Sequence, residues 1–525
     1  MSALLLRIWD RSSVIAASLS LSLSLSMDSK DGKVEMFFLP CITARGHLIP
    51  MMDAARVFAA HGAKVTIIIT PYYAKLYQKS IEQDQSLGHE IDFHTFELPT
   101  SEFGLPEGCE NQLSISFEMS LKLFKAIEKL QEPIEQLLRE RCADCIVSDM
   151  FFPWTAISAA RLGIPRLLFH VTGLFPLCCD DSLKRHAPHE KVNSDTETFI
   201  LPGLPDDNIK FSKRQLPFWY TAKADLEHLQ DNMQEAKSKT YGVIVNESGS
   251  SVALSCGLTL SPSKTTSDGI RRQGPAAGKG DEQKTKRGEK NSIDGGTVLN
   301  WFNSKEPKSV LYVSFGSQVR MAPEQFLEIA HGLEISGCPF IWVGRDMLEY
   351  GDDEKNNEGR EGRGGKKLPD GFEERMMKSG KGLIVRSWAP QLLILEHQAI
   401  GGFLTHCEWN SAIEGIGAGV PMITWPITAE HFFVENLVTD VLKTGIRVGN
   451  KEWMWLFWEP KVTVARDKVE EAVKWLMGGG GGDEAKKMRI RAKEFGVKAK
   501  KAVDYGGSSH ADVIALINDL KSRRR

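Results

Sequence analysis

Residues 388–431 gather side chains able to do chemistry: WAPQLLILEHQAIGGFLTHCEWNSAIEGIGAGVPMITWPITAEH. Within it, GGFLTH reads as a strand that delivers His406 to its carboxyl end, and Trp409-Asn410-Ser411 opens the next helix. A helix start presents unpaired N–H groups and a partial positive charge, which together make an anion seat. His406, Asn410, Ser411 and that helix start could together hold a diphosphate. Glu414, one turn further on, is placed to accept hydrogen bonds from sugar hydroxyls, and Trp388 offers an aromatic face for a base. Any one of these residues is as well explained by a capped helix or a packed tryptophan. Their coincidence in one segment is not.

Strands must carry such a site. From Val34 onward, short apolar runs alternate with helical stretches, the pattern of a parallel α/β sheet. VEMFFL (34–39) reads as a buried strand followed by a turn through Gly46-His47 and Pro50. A helix with Met51, Met52, Ala55, Val57, Phe58 and Ala59 on its apolar side then ends at Gly62. Further strands are expected at 65–69, 143–148, 165–169 and 241–246, with helical periodicity across 121–140. Between about 247 and 296 the pattern collapses into Ser/Gly/Thr-rich and then charged sequence that can bury little. A second α/β series follows: SVLYVSFG, a helix over 323–336, FIWVG, LIVRSW, GGFLTH and PMITW. Two loops in this half, 352–367 and the glycine run 478–482, are expected to be flexible. Two consecutive α/β halves imply two sheets facing a cleft, with ligands at the carboxyl ends of the strands.

Composition narrows the classes. A length of 525 residues suggests two to four domains. Lys plus Arg (65) nearly balance Asp plus Glu (68), so no basic excess points to nucleic acid or an anionic membrane. Nine cysteines without regular spacing favour a reducing, cytoplasmic compartment over a disulfide framework. Residues 1–26 end in SLSLSLSLS and have some features of a signal or transit peptide. Strict Ser-Leu alternation is also what an in-frame CT repeat encodes, and Met27 offers a second start, so the functional chain is expected to begin near Met27. No window is long and apolar enough for a membrane span, so no stable membrane insertion is expected. Two motifs carry no chemistry. GPAAGKG (274–280) is too short for a phosphate-binding loop and follows no strand, and Cys142-Ala-Asp-Cys145 runs into a buried strand without a second pair. No GxGxxG follows the first strand, which argues against a nicotinamide oxidoreductase.

Residues 388–431 resemble the signature box of the plant family-1 UDP-dependent glycosyltransferases in length and at most fixed positions. The remainder agrees from about Val34 to the carboxyl end, apart from the leader and about 247–272. The resemblance implies an α/β GT-B fold of two Rossmann-like domains and inverting transfer of a hexose from a UDP-sugar to a hydroxyl of a small lipophilic metabolite. Flavonoids, other phenolics, terpenoids and hormones are the expected acceptors. It also implies no metal or cofactor beyond the UDP-sugar donor substrate, UDP-glucose or UDP-galactose. By this resemblance Trp388 stacks on uracil, Ala389 and Gln391 lie at the nucleoside, and Glu414 holds the ribose hydroxyls. His406, Asn410 and Ser411, with neighbouring Trp409, bind the phosphates, Ser317 adds a phosphate contact, and Glu430 and His431 read the sugar.

His47, in LPCITARGHLIP, stands at the family's general-base position, and Asp149, in IVSDMFFPW, at that of its supporting acid. Neutral imidazole can take a proton from an acceptor hydroxyl near neutral pH, and a carboxylate would orient it and stabilise the imidazolium. Phe151, Trp154, Phe169, Leu174 and Phe175 are candidates for an apolar acceptor wall, with plain core packing expected for at least half. The expected organisation is a leader (1–33), an acceptor domain (34–262), a linker (263–296), a donor domain (297–490) and C-terminal helices (491–525) packing back on the first domain. A monomer is expected.

Three departures from the family stand out. His431 replaces the Gln of common glucose users, and some members with His here prefer UDP-galactose; imidazole offers one donor and one acceptor with a different reach. Glu408 replaces the Gly of HCGWNS. A carboxylate about 5 Å from a diphosphate, at an effective dielectric near 20, would cost on the order of 3 kcal/mol, and a positive φ there would add strain. The expectation is therefore that Glu408 points into solvent. Finally, Asn246 is followed by ESGSSVALSCGLTLS, and only Gly274-Pro275 of the family's later turn is recognisable. This segment is either diverged or locally out of frame. Together with Glu408 it gives the rival reading: a UDP-sugar-binding protein that has lost catalysis.

Overall fold

The computed structural model describes residues 32–106, 108–109, 117–204, 209–221, 233, 235–247, 270–271, 295–316, 319, 321–344, 368–386, 389–455 and 460–524. Ser317 and Trp388 lie outside the described residues, as do the leader 1–26, the 274–280 motif, the 352–367 loop and most of 247–296. Residues from Val34 to Arg525 form one compact unit.

The first half contains β1 (Glu35–Leu39), β2 (Lys64–Ile69), β3 (Ile91–Thr95), β4 (Cys145–Asp149), β5 (Arg166–His170), β6 (Thr198–Ile200), β7 (Lys210–Ser212), β8 (Gly242–Val245) and β9 (Ile270–Arg271). Seven of these make one sheet in the order β3-β2-β1-β4-β5-β8-β9, parallel throughout, while β6 and β7 form a separate antiparallel pair. The second half contains β10 (Val310–Ser314), β11 (Phe340–Val343), β12 (Gly382–Val385), β13 (Ile400–Thr405), β14 (Met422–Thr424) and β15 (Gly445–Arg447). Its sheet runs β12-β11-β10-β13-β14-β15, also all parallel. Helices cover both faces of such sheets, which is why β4 and β13 are buried along their whole length and read as continuous apolar runs.

Both sheets reverse strand order beside their first strand, between β1 and β4 and between β10 and β13. Loops leaving the carboxyl ends of strands at such a switch point diverge and open a crevice. His47 and Asp149 lie at the first switch point, and Gly316 and His406 at the second.

Two sequence expectations change. The turn through Gly46-His47 is instead the opening of the helix Arg45–Ala60, with Pro50 inside it. Nor is the glycine run 478–482 a loose loop. It links the helices Arg466–Met477 and Gly482–Val503 through bonds from the Gly478 and Gly480 amides to the Lys474 carbonyl (3.0 and 3.1 Å) and from Gly481 to Trp475 (2.9 Å). The helix Gly482–Val503, which runs through the boundary drawn at 490, approaches the second half so closely that a Cβ on Gly496 would meet the Gly419 Cα at 2.9 Å. The last helix, Ser508–Ser522, instead buries Val513, Leu516, Ile517 and Leu520 in the core of the first half. Arg524 then pairs with Asp144 beside β4.

Candidate active site

The register Leu39↔Ser148 brings the ends of β1 and β4 side by side. The chain leaving β1 turns into the helix Arg45–Ala60, with His47 on its first turn, while β4 ends at Asp149. His47 Nδ1 and Asp149 Oδ2 are 2.9 Å apart. The other Asp149 oxygen accepts the Phe151 N–H at 3.0 Å, which fixes the carboxylate plane. Phe151 also stacks on the imidazole, with centroids 5.0 Å apart and planes at 30°. The Asp149 side chain is 0% exposed and that of His47 16%, so the carboxylate is sealed while one edge of the imidazole stays reachable. With Nδ1–H donating to Asp149, Nε2 carries the basic lone pair. Burial pushes the His47 pKa down, but the Asp149 charge and hydrogen bond, with Glu430 and Glu408 further off, outweigh it and hold it above the ordinary value.

The base must be neutral, so activity is lost as pH falls through the raised His47 pKa. Asp149→Asn removes the main raising influence and leaves burial. Its kcat profile should show the acid limb displaced to lower pH, with a plateau about 10²-fold or more below wild type. An acid limb that stays in place would show that Asp149 does not act through His47.

The second half faces this pair with the carboxyl ends of β10 and β13. Gly316 has φ +73°, and a Cβ there would fall 2.6 Å from His406 Nε2, so only glycine lets the two loops meet. Burial drives the His406 pKa down to about 3, leaving a neutral ring, and its Nδ1 has no hydrogen-bond partner among the described residues. Cys407 takes φ +67° and turns the chain into the helix Trp409–Ala418.

That helix start is fastened to the first half. Trp409 is buried, its Nε1–H donates to the Asn246 carbonyl, and its ring lies so close to Gly173 that a Cβ there would fall 2.1 Å from Trp409 Cζ2. Asn246 Nδ2 donates to Asn410 Oδ1 (2.6 Å), and Asn410 Nδ2 donates to the Gly46 carbonyl (2.9 Å). Pro50 explains why that carbonyl is available. Proline has no N–H to return to the residue four places earlier, and that residue is Gly46. Thus Gly46, His47 and Pro50 act together: the proline frees the carbonyl that anchors Asn410 one residue from the base.

Comparison with known proteins agrees with this geometry. The family model described as UDP-glucoronosyl and UDP-glucosyl transferase matches residues 294–442. The chain is 44% identical over 494 residues to abscisate beta-glucosyltransferase of Phaseolus angularis, covering 93% of this chain and 97% of that protein. The chain belongs to the plant family-1 UDP-dependent glycosyltransferases. It is 40% identical over 500 residues to soyasapogenol B glucuronide galactosyltransferase of Glycine max, covering 94% of this chain and 97% of that one. The crystal structure of Glycyrrhiza uralensis UGT73P12 complexed with glycyrrhetinic acid 3-O-monoglucuronide superposes with TM-score 0.78 at 37% identity, covering 94% and 96% of the two chains. This glycosyltransferase therefore has the GT-B fold and is a hexosyltransferase that takes sugar from a UDP-sugar to a small metabolite.

The remaining described donor residues fall around the helix Trp409–Ala418. Ala389 lies just ahead of the helix Gln391–Glu396, whose Gln391 accepts from Tyr312 Oη (3.0 Å) and donates to Ser411 Oγ (3.2 Å) and Glu414 Oε2 (2.9 Å). His431 Nδ1 lies 3.4 and 3.3 Å from the Ile427 and Thr428 amides and accepts from them, which puts its proton on Nε2; its ring meets His406 edge-on at 5.0 Å. Burial drives the His431 pKa well down and that of Glu430 up.

Glu408 corrects the solvent-pointing expectation. It sits at the helix N-cap with φ −59°, an ordinary conformation; the positive φ belongs to Cys407. Its Oε1 accepts from Asn410 Nδ2 and lies 3.1 Å from where a Cβ on Gly46 would stand, so the carboxylate faces the first half.

Of the suggested acceptor wall, Phe151 lies on His47. Trp154 and Phe169 pack in the core of the first half and Phe175 in a cluster shared with β10 and the helix Trp409–Ala418, while Leu174 is half-buried at the start of its helix. The sequence reading missed Phe124, whose ring packs against Phe151 at 5.6 Å. Its place within a helical period gave no sign distinguishing it from core.

Proposed function

We propose that this glycosyltransferase prefers UDP-glucose and glucosylates a hydroxyl of a phenolic or terpenoid metabolite, as a cytoplasmic monomer that needs no metal. The observation that carries the reading is the His47–Asp149 pair, with no partner on Nε2 among the described residues, facing the start of the helix Trp409–Ala418. An acceptor seated against Phe151 and Phe124 presents its hydroxyl to Nε2. His47 takes the proton, the oxygen forms its bond to the anomeric carbon, and the bond from that carbon to the diphosphate breaks. The electron pair leaves with UDP. The helix start, Ser411 and the buried neutral His406 are placed to stabilise that leaving charge, with Glu414 placed for the ribose hydroxyls. Trp388 and Ser317 join this donor set by family resemblance, and Glu430 and His431 are assigned to the sugar hydroxyls.

The described cysteines are free thiols, which suits a reducing compartment, and among the described residues no helix is long and apolar enough to cross a membrane. The intact His47–Asp149 pair speaks against a pure binding protein.

Sugar choice rests on His431, whose single N–H, at Nε2, can serve one hydroxyl. The test is a matrix of UDP-sugars against coumarin, flavonol and triterpenoid acceptors, with and without EDTA. UDP-glucose should give the highest kcat/KM, His431→Gln should widen its margin over UDP-galactose, and EDTA should change nothing. Equal or better turnover with UDP-galactose would overturn the glucose preference. Loss of activity in EDTA would overturn the metal-free mechanism.

A further inference from the structure

Glu408 is a carboxylate built into the anion seat. It heads the helix Trp409–Ala418, where positive helix potential and free N–H groups favour negative charge, yet its side chain makes no capping bond to that helix backbone. It accepts instead from Asn410 Nδ2, and the same amide group donates to Gly46. The Asn410 donors are thus committed within the protein, one to the carboxylate and one to the facing half. Glu408 carries the same charge sign and acceptor chemistry as a phosphate and lies on the amide assigned to phosphate binding.

We propose that Glu408 is an intramolecular competitor of the donor diphosphate, holding the Asn410 amide beside the helix start until the donor displaces it or its charge is neutralised. This rests on the reading that the helix start holds the diphosphate. A protonated Glu408 carries no charge to repel the donor and is a poorer acceptor for Asn410. Burial, followed by the nearby Glu430 charge, pushes the Glu408 pKa up to about 7, so the group changes charge near neutral pH. The titratable groups that act on it are His47 on the helix Arg45–Ala60, Glu430 ahead of the helix His431–Asn436, and Glu414 on its own helix. His47⁺ also attracts diphosphate at low pH. The contribution of Glu408 is therefore the difference between the wild-type curve and that of Glu408→Gln, which keeps shape and removes charge.

The experiment measures the Kd of UDP-glucose, whose diphosphate diester does not titrate near neutrality, by calorimetry for wild type and Glu408→Gln across pH, with uridine as a probe lacking phosphate. The wild-type Kd should weaken as pH rises through the Glu408 pKa. Near pH 8, about one unit above that pKa, only about a tenth of Glu408 is neutral, so Glu408→Gln should bind about 10-fold more tightly than wild type, and near pH 6 the two should converge as Glu408 protonates. Uridine binding should be the same in both. Equal UDP-glucose affinities at all pH values with uridine unchanged would overturn the proposal, as would equal changes for both ligands. Should Glu408→Gln fail to fold, Glu408→Gly provides the same comparison and the same outcomes. Uridine binding without UDP-glucose binding in any form would overturn the diphosphate reading itself, and this proposal with it.

Discussion

Replacing His47 by alanine is expected to lower kcat by about 10²–10⁴-fold, the range for loss of a positioned general base. The Kd of UDP-glucose should change little. His47 is the partly exposed member of a pair whose acid is sealed, its Nδ1 is committed to Asp149, and the Phe151 ring and amide fix both partners. Removing the imidazole leaves the donor residues of the second half in place, so binding and chemistry should separate. Calorimetry with UDP-glucose and initial rates with a phenolic acceptor give the two readouts. A kcat within about 10-fold of wild type would mean another group takes the proton, since a positioned base contributes more than that.

Gly316→Ala should damage donor binding and stability together. At φ +73° an alanine costs on the order of 1–2 kcal/mol of backbone strain. Its Cβ would also meet His406 Nε2 at 2.6 Å, and relieving such overpacking costs about 1–3 kcal/mol more. Buried His406 has little room to yield, so the loop carrying Gly316 or the ring itself must move away from the helix start. The Kd of UDP-glucose should rise about 10-fold or more, a displacement penalty of the size just given, and the denaturant midpoint should fall. Wild-type affinity together with wild-type stability would show that the β10 and β13 loops do not need this close approach.

Much of the fold was legible because strands of a parallel sheet are buried on both faces and cannot hide their apolar runs. The strands that escaped notice lack that signal. β3 is an edge strand in which Asp92 and Thr95 are exposed, and β9 and β15 are only two and three residues long. The start of the helix Arg45–Ala60 is not legible because Gly46 and Pro50 are local breakers. Tertiary contacts override them, and the bond Pro50 cannot make is replaced by Asn410 from the other half. The residues of the candidate site were legible as types at fixed spacings after strands. Their committed bonds were not. The direction of Glu408 depends on Asn410 and on the missing Cβ of Gly46, which is 362 positions away in sequence, and no local pattern carries that information.

In the proposed mechanism an acceptor oxygen, deprotonated by His47, displaces UDP in one step at the cleft between the two sheets. The configuration of the product tests this most directly. UDP-glucose is α-linked, and a single displacement must invert the anomeric carbon, so the proton spectrum of the purified product should show a β-glucoside. An α-glucoside would require a second displacement or a front-face route and would contradict the mechanism drawn from His47 and Asp149.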